Sequence, residues 1–125
     1  MARTKNAPIS HGPGFEPAKD KKWNRRYGHY IRIGVRDYKL IFCEKICDED
    51  GQQIAGLCDP NGKAIYVDVS REVEATLLHE VCHAVSFESG FHQRPSWCAE
   101  TEEQWVECMS QTIAHSFTLR RFGKR

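Results

Sequence analysis

The sequence predicts an α+β fold in which a small antiparallel β-sheet is followed by two helices. Apolar and polar residues alternate between positions 30 and 69, as in half-buried strands, and the segment 58–63 (CDPNGK) has the composition of a tight turn. From residue 71 onward apolar residues recur every three or four positions, which indicates helices. A chain of 125 residues, 40% of them hydrophobic, suffices for one compact domain and hardly for two.

The first 26 residues are predicted to form a flexible basic arm, and residues 27–125 the single folded domain. Proline and glycine recur among polar residues as far as Lys22, which argues against a helix or strand there. Residues 1–36 contain nine Lys/Arg and two acidic residues, so the basic excess lies at the start of the chain. Nucleic acid is therefore an alternative partner of the arm, although charged termini are more often simply solvated.

The predicted sheet has four strands, at residues 30–35, 38–43, 54–57 and 64–69. The last of them leads directly into the first predicted helix, which spans about residues 71–89. Ser70 is its expected N-cap, and Gly90 its C-terminal stop. The core-facing stripe of this helix is expected to be Val73, Leu77, Val81 and Ala84, with His79, His83 and Ser86 on the opposite side.

The segment His79-Glu80-Val81-Cys82-His83 is the most specific pattern in the chain. On a helix, residues i and i+4 lie one turn apart on the same face, so His79 and His83 could bind one metal ion while Glu80 reaches a metal-bound water. Glu80 is therefore the predicted general base of a zinc hydrolase. The pattern is short, however, and two surface histidines with local hydrogen bonds would satisfy it equally well.

A catalytic zinc takes three protein ligands, so a third is needed from elsewhere. The second predicted helix, about residues 99–117, has an apolar stripe of Val106, Met109, Ile113 and Phe117. Glu102 and Glu103 fall near the centre of this stripe, where an unpaired carboxylate would be costly to bury. We expect Glu103 to be the third ligand, with Glu107 one turn later accepting a ring N–H of a ligand histidine. Glu102 and His92 are the alternative third ligands.

This arrangement, within "LLHEVCHAVSFESG" and "EEQWVECMSQ", resembles the gluzincin metallopeptidases, in particular small single-domain proteins of this kind in phages and bacteria. The resemblance covers about residues 63–117 and implies a zincin-like fold, one Zn²⁺ ion and a peptide or protein substrate. Glu107 stands where larger members usually have Asp. SprT-like proteases instead place a third histidine in the loop after the helix, where this chain has His92. A metzincin would need a histidine at position 89, which is serine.

The resemblance also suggests that strand 64–69 borders the active-site cleft and that an extended peptide adds to its edge. His92, His115 and Tyr66 are candidates for stabilising the oxyanion. Two alternatives to a gluzincin-like peptidase remain. One is a zinc-binding regulatory or adaptor protein on a peptidase scaffold, and the other is a nucleic-acid-associated, SprT-like protease that uses the basic arm.

The expected location is the cytoplasm, or the host cytoplasm for a phage protein, because no signal-peptide core or membrane-spanning apolar run is present. In that reducing compartment the six cysteines are expected to be small core residues rather than disulfides. A second, structural zinc at Cys43, Cys47 and Cys58 is the alternative. Nothing in the sequence indicates the oligomeric state.

Overall fold

The computed structural model describes residues 14–117, which form a five-stranded sheet and three α-helices. The elements in chain order are β1 (Phe15–Pro17), α1 (Lys22–Tyr27), β2 (Tyr30–Ile33), β3 (Arg36–Ile46), β4 (Gly56–Asp59), β5 (Ala64–Asp68), α2 (Val73–Glu88), a 3-10 turn (Phe91–Gln93) and α3 (Ala99–Ser116). The predicted α+β class is confirmed, with a sheet that precedes the two long helices. Within the described residues, none of the helices is both long and apolar enough to cross a membrane.

The sheet is mixed rather than purely antiparallel. Its strand order is β1-β3-β5-β4, with β2 pairing along the other end of β3. Strands β3 and β5 are parallel, with Leu40 opposite Ile65, whereas the other pairs are antiparallel. The prediction of an antiparallel sheet is therefore wrong at this one pairing. Every residue of β5 is buried, as expected for a strand covered on both faces. The strand order places β5 between β3 and β4, so β4 is the edge strand on that side of the sheet.

The predicted unstructured arm is wrong for residues 15–26. Strand β1 pairs with the end of β3, placing Phe15 opposite Ile46, and α1 packs its aromatic side chains onto the sheet. Trp23 stacks on Phe42 with ring centroids 6.4 Å apart, and Tyr27 is only 2% exposed. Widely spaced aromatic residues thus anchor a segment whose average composition is polar. Residues 1–13 of the predicted arm lie outside the described residues.

Helix α2 lies across β4 and β5, and its buried positions include the predicted Val73, Leu77 and Ala84, while Val81 is half-buried against the same core. The predicted N-cap is wrong, because the helix begins at Val73, after Glu72 in the left-handed conformation (φ 32°). The Ser70 hydroxyl instead donates to Asp68 Oδ1 at 2.6 Å. Gly90 follows the helix with φ 80°, which confirms the predicted stop.

Helix α3 packs against α2 through a face that coincides only in part with the predicted stripe, since Val106 is buried as predicted and Ile113 is half-buried. Its buried residues are Val106 and Ser110, whereas Met109 and Phe117 are exposed. Ser110 is polar and only 7% exposed, a position that a hydrophobicity pattern does not register. Phe91, Trp97 and Trp105 form an aromatic cluster beside α3, with ring centroids 5.1 to 6.2 Å apart.

Candidate metal centre

Helix α2 presents His79 and His83 on the side that faces α3. Their ring centroids are 5.0 Å apart, as the one-turn spacing predicts, and both side chains are partly exposed, at 28% and 17%. Burial and the neighbouring ring of His83 lower the pKa of His79. A histidine that stays neutral keeps a nitrogen lone pair for a metal ion.

The first turn of α3 brings Glu103 to the two histidines. One carboxylate oxygen lies 3.6 Å from His79 Nε2, and the other lies 3.2 Å from His83 Nε2. Ligands about 2.1 Å from a tetrahedral ion are about 3.4 Å from each other, close to both distances. One ligand atom from each of the three residues lies within 4.8 Å of the other two, so His79, His83 and Glu103 could hold a metal ion.

Glu102 contacts Nδ1 of the His83 ring, whereas Glu103 lies beside Nε2. The Oε2 of Glu102 lies 2.7 Å from His83 Nδ1, while its Oε1 accepts hydrogen bonds from Ser86 Oγ at 2.5 Å and Trp97 Nε1 at 2.8 Å. Burial alone would raise the pKa of Glu102, but these three hydrogen bonds outweigh it and hold the pKa below its usual value. Glu102 thus fits an orienting role better than the role of a third ligand.

The pKa of His83 is shifted in the opposite direction, above its usual value. Burial would lower its pKa, but the hydrogen bond with Glu102 and the charges of Glu80 and Glu103 together raise it. The partners Ser86 and Trp97 were not predicted for this site. Ser86 lies on the predicted histidine side of α2, which was a usable signal, whereas nothing local to Trp97 reveals that its N–H points at a carboxylate.

Glu107 is placed as predicted but more loosely. Its Oε1 lies 3.5 Å from His79 Nδ1, and its Oε2 accepts a hydrogen bond from Gln111 Nε2 at 2.9 Å. The side chain is 59% exposed, so water competes for the same contact. Of the two carboxylates that face the Nδ1 atoms, Glu102 is therefore the more firmly held.

Glu80 lies in the same cleft as the histidines and is only 8% exposed. It faces β4 at Gly56, where an added Cβ would come within 3.1 Å of the Glu80 carboxylate and 2.7 Å of Thr76 Cγ2. The absence of a side chain at position 56 is what makes room for this carboxylate between helix and strand.

The cleft has a volume of about 570 Å³ and runs between β4 and the two helices. Its sheet side is formed by Gly56, Leu57 and Cys58, so the strand at its rim is β4, and the prediction that residues 64–69 border it is wrong. Strand β5 does not border the cleft because its parallel pairing with β3 places it inside the sheet. The edge that an incoming peptide would meet belongs to β4.

His92 forms one wall of the cleft rather than part of the ligand group. Its ring stacks on Phe87 with centroids 4.3 Å apart and an interplanar angle of 13°. Of the other two oxyanion candidates, Tyr66 packs edge-on against Phe15 at 5.1 Å and His115 is exposed near the end of α3; neither lines the cleft. Of the three, only His92 lines the cleft.

All six cysteines are free. Cys43, Cys58 and Cys82 are buried as predicted, but Cys98 and Cys108 are exposed, which corrects the expectation that the cysteines are core residues. Burial raises the pKa of Cys43 to about 12 and that of Cys58 well above its usual value, so both remain protonated thiols. The described part of the chain contains no second metal-ligand group, at Cys43, Cys47 and Cys58 or elsewhere.

Comparisons with protein-family models, with curated proteins and with solved structures give no match for this chain. Functional inference therefore depends on the geometry of the site itself.

Proposed function

We propose that the protein is a zinc-dependent metallopeptidase that uses His79, His83 and Glu103 as ligands and Glu80 as general base. The observation that carries this proposal is that Nε2 of both histidines faces the Glu103 carboxylate at 3.2 to 3.6 Å, inside a cleft that Glu80 also lines. Two histidines and one carboxylate, with a fourth position left for water, are the ligand set of several zinc hydrolases. The same donors also accept other divalent ions, so zinc is part of the proposal.

Bound zinc would lower the pKa of a water molecule and polarise the scissile carbonyl. Glu80 would accept a proton from the attacking water and donate it to the leaving amine. Its burial between α2 and β4 keeps bulk water from competing for that proton. Glu102 would hold the His83 ring through Nδ1, and His92, which lines the cleft, would stabilise the oxyanion.

Strand β4 offers a way to bind an extended peptide. The amide of Asp68 donates to Ala55 O at 2.8 Å, and Leu57 lies opposite Tyr66. Because bonded and non-bonded pairs alternate in antiparallel strands, the N–H and C=O groups of Gly56 and Cys58 face away from β5. A peptide laid along this edge would gain backbone hydrogen bonds with little dependence on its sequence.

The proposed site of action is the cytoplasm, because six free cysteines, two of them exposed, persist best in a reducing compartment. The exposed cysteines would be prone to oxidation elsewhere.

The test pairs metal analysis with cleavage of an unstructured protein such as casein. We expect wild type to bind one zinc per chain and to cleave, and His79→Ala to lose both properties. Glu80→Gln should keep its zinc and lose about 10²- to 10⁴-fold in rate, the usual contribution of a general base. The matched control is Glu100→Gln, because Glu100 is exposed and outside the cleft.

Two results would overturn the proposal. A chain that binds no zinc, or a Glu80→Gln variant that cleaves as fast as wild type, contradicts the assigned roles. Stoichiometric zinc without cleavage of any protein would favour the alternative of a zinc-binding regulatory or adaptor protein on a peptidase scaffold.

A further inference from the structure

A second cleft, of about 620 Å³, lies between α1 and the start of α2. Its floor is apolar: Trp23, Tyr27, Val69 and Val73. Its rim is charged: Lys22, Arg26, Arg71, Glu72 and Glu74. None of these residues lines the cleft of the candidate metal centre, so the two clefts are separate sites.

The cations around this cleft form one continuous surface, which we call the α1 basic surface. Residues i and i+4 share a helix face, so Lys22 and Arg26 lie in one row of α1 and Lys21 and Arg25 in the next, while Trp23 and Tyr27 turn toward the sheet. Lys19 precedes α1, and Arg71 lies in the turn before α2. All six of these cationic residues are exposed.

The acidic residues here offset this charge only in part. Glu74 Oε1 accepts a hydrogen bond from the Tyr27 hydroxyl at 3.3 Å and lies 3.8 Å from Arg26, so it is bound within the rim. Asp20 accepts a hydrogen bond from the amide of Lys22 at 2.9 Å, and Glu72 is exposed. Glu44 Oε2 accepts a hydrogen bond from the amide of Lys19 at 3.3 Å, so six cations face four acids and the surface has a net charge of about +2.

The described chain as a whole has the opposite sign. Residues 14–117 contain 12 Lys/Arg and 17 Asp/Glu, so a basic surface on this molecule reflects segregation rather than a general excess. The two segments outside these residues, 1–13 and 118–125, add six Lys/Arg and no acidic residue. A ligand attracted to the α1 basic surface must therefore be an anion, and an extended one could contact several of its cations.

We propose that the α1 basic surface binds single-stranded nucleic acid, with phosphates on Lys22 and Arg71 and a base entering the cleft over Trp23. Lys22 Nζ lies 4.8 Å from the centre of the half-buried Trp23 ring, so a cation and an aromatic surface meet where a phosphate and its base would. Stacking on aromatic rings beside a cationic groove is how proteins hold single strands with little sequence preference.

Two other polyanions fit less well. An anionic membrane favours a helix with an exposed apolar face, but the apolar side chains of α1 are packed on the sheet. An acidic peptide would use the cations but leaves the aromatic floor without a matching ring. The proposal does not depend on the metal centre, because no ligand residue takes part.

The test is a titration of fluorescein-labelled (dT)₂₀ with the full chain, followed by fluorescence anisotropy at several salt concentrations. We compare Lys22→Gln/Arg71→Gln with Lys39→Gln/Lys45→Gln, which removes the same charge from exposed positions on β3. A single-stranded phosphate contact contributes about 0.7 to the slope of log K against log salt. Loss of two contacts should therefore reduce the slope by about 1.4 and weaken binding about 25-fold at 0.1 M salt.

Retention of wild-type affinity by Lys39→Gln/Lys45→Gln, together with the loss in the first variant, would support the proposal. Equal affinity of the two variants would overturn it, because binding would then arise from other cations. Absence of binding by wild type at 50 mM salt would overturn it as well. Tighter binding to phosphatidylserine vesicles or to polyglutamate than to (dT)₂₀, lost in the first variant, would reassign the surface to a membrane or an acidic protein.

Discussion

His83 has a carboxylate on each of its two ring nitrogens, and the two carboxylates have different tasks. Glu103 at 3.2 Å from Nε2 is partly exposed and can turn toward an ion, whereas Glu102 at 2.7 Å from Nδ1 is held by two further donors. When the Nδ1–H of His83 donates a hydrogen bond to Glu102, the lone pair of Nε2 stays available for a metal ion. The network thereby assigns the tautomer that metal binding requires.

Glu102→Gln should weaken zinc binding about 10- to 100-fold, the usual effect of losing an orienting partner. The amide of Gln has one acceptor oxygen for three donors from His83, Ser86 and Trp97, so at least one donor loses its partner. Competition with a chromogenic chelator measures the affinity. Glu100→Gln, two residues away and exposed, is the control. An unchanged affinity in Glu102→Gln would show that the ring is oriented by other contacts.

At this scale the sequence predicts the ligands but not the residues that hold them. His79, His83 and Glu103 follow from helical spacing and from the cost of an unpaired carboxylate, both of which are local. The hydrogen bonds from Ser86 and Trp97 to Glu102 join three separate segments, so they depend on how α2 and α3 are packed. The sequence favours Glu103 over Glu102 as the third ligand, and Glu103 is the carboxylate that lies beside both Nε2 atoms. The reason for that preference was Glu107, whose contact with His79 Nδ1 is weaker than the contact of Glu102 with His83 Nδ1.

At the scale of elements, α2 lies close to β4 at Gly56. A Cβ at this position would lie 2.7 Å from Thr76 Cγ2 and 3.1 Å from Glu80 Cγ. Both neighbours belong to a helix that is itself packed against the sheet, so neither can move far without disturbing the core.

Gly56→Ala should therefore destabilise the protein by about 1 to 3 kcal/mol, the usual cost of overpacking. Denaturant-induced unfolding gives the free energy. The second variant, Gly56→Ala/Thr76→Ser, lacks the Cγ2 methyl group that makes the shortest contact and should recover part of the loss. A neutral effect of Gly56→Ala would mean that helix and strand are farther apart in solution than the structure places them.

Element type was predictable from the sequence to a greater extent than element arrangement. Both long helices and the β4–β5 hairpin follow from periodicity and from the turn residues between Cys58 and Lys63. Periodicity does not report strand order, so the insertion of β5 beside β3 was missed. It also does not detect short elements such as α1, whose stability comes from Trp23 and Tyr27 packing on the sheet rather than from helix propensity.

Across the whole molecule, the sheet and the helix layer are tied together at one end by Glu88. Its Oε2 accepts hydrogen bonds from the Tyr38 hydroxyl on β3 and from Lys63 Nζ at the β4–β5 turn, both at 2.6 Å. Lys63 also stands over the rings of Tyr38 and Phe87, at 5.4 and 5.0 Å. Both histidines are on α2. The C-terminal end of this helix is held to β3 through Tyr38 and to the β4–β5 hairpin through Lys63.

This junction should make folding stability depend on pH. The hydrogen bond from Lys63, followed by that from Tyr38, lowers the pKa of Glu88 below its ordinary value of 4.5. When the folded-state pKa is lower than the unfolded one, the unfolded chain binds more protons between the two values. The contribution of Glu88 is therefore complete above pH 4.5 and is lost as the pH falls through the lower, folded-state pKa.

We expect Glu88→Gln to reduce the free energy of unfolding by about 1.5 to 3 kcal/mol at pH 7, the range for hydrogen bonds to charged groups. The difference from wild type should shrink as the pH falls below 4.5, because wild-type Glu88 is then protonated as well. Denaturant titrations between pH 3 and pH 7 measure both quantities, with the exposed Glu100→Gln as the control. A difference that stays constant over this range would mean that Glu88 acts through packing, and the charge of Glu88 would then have no part in joining the sheet to the helix that carries His79 and His83.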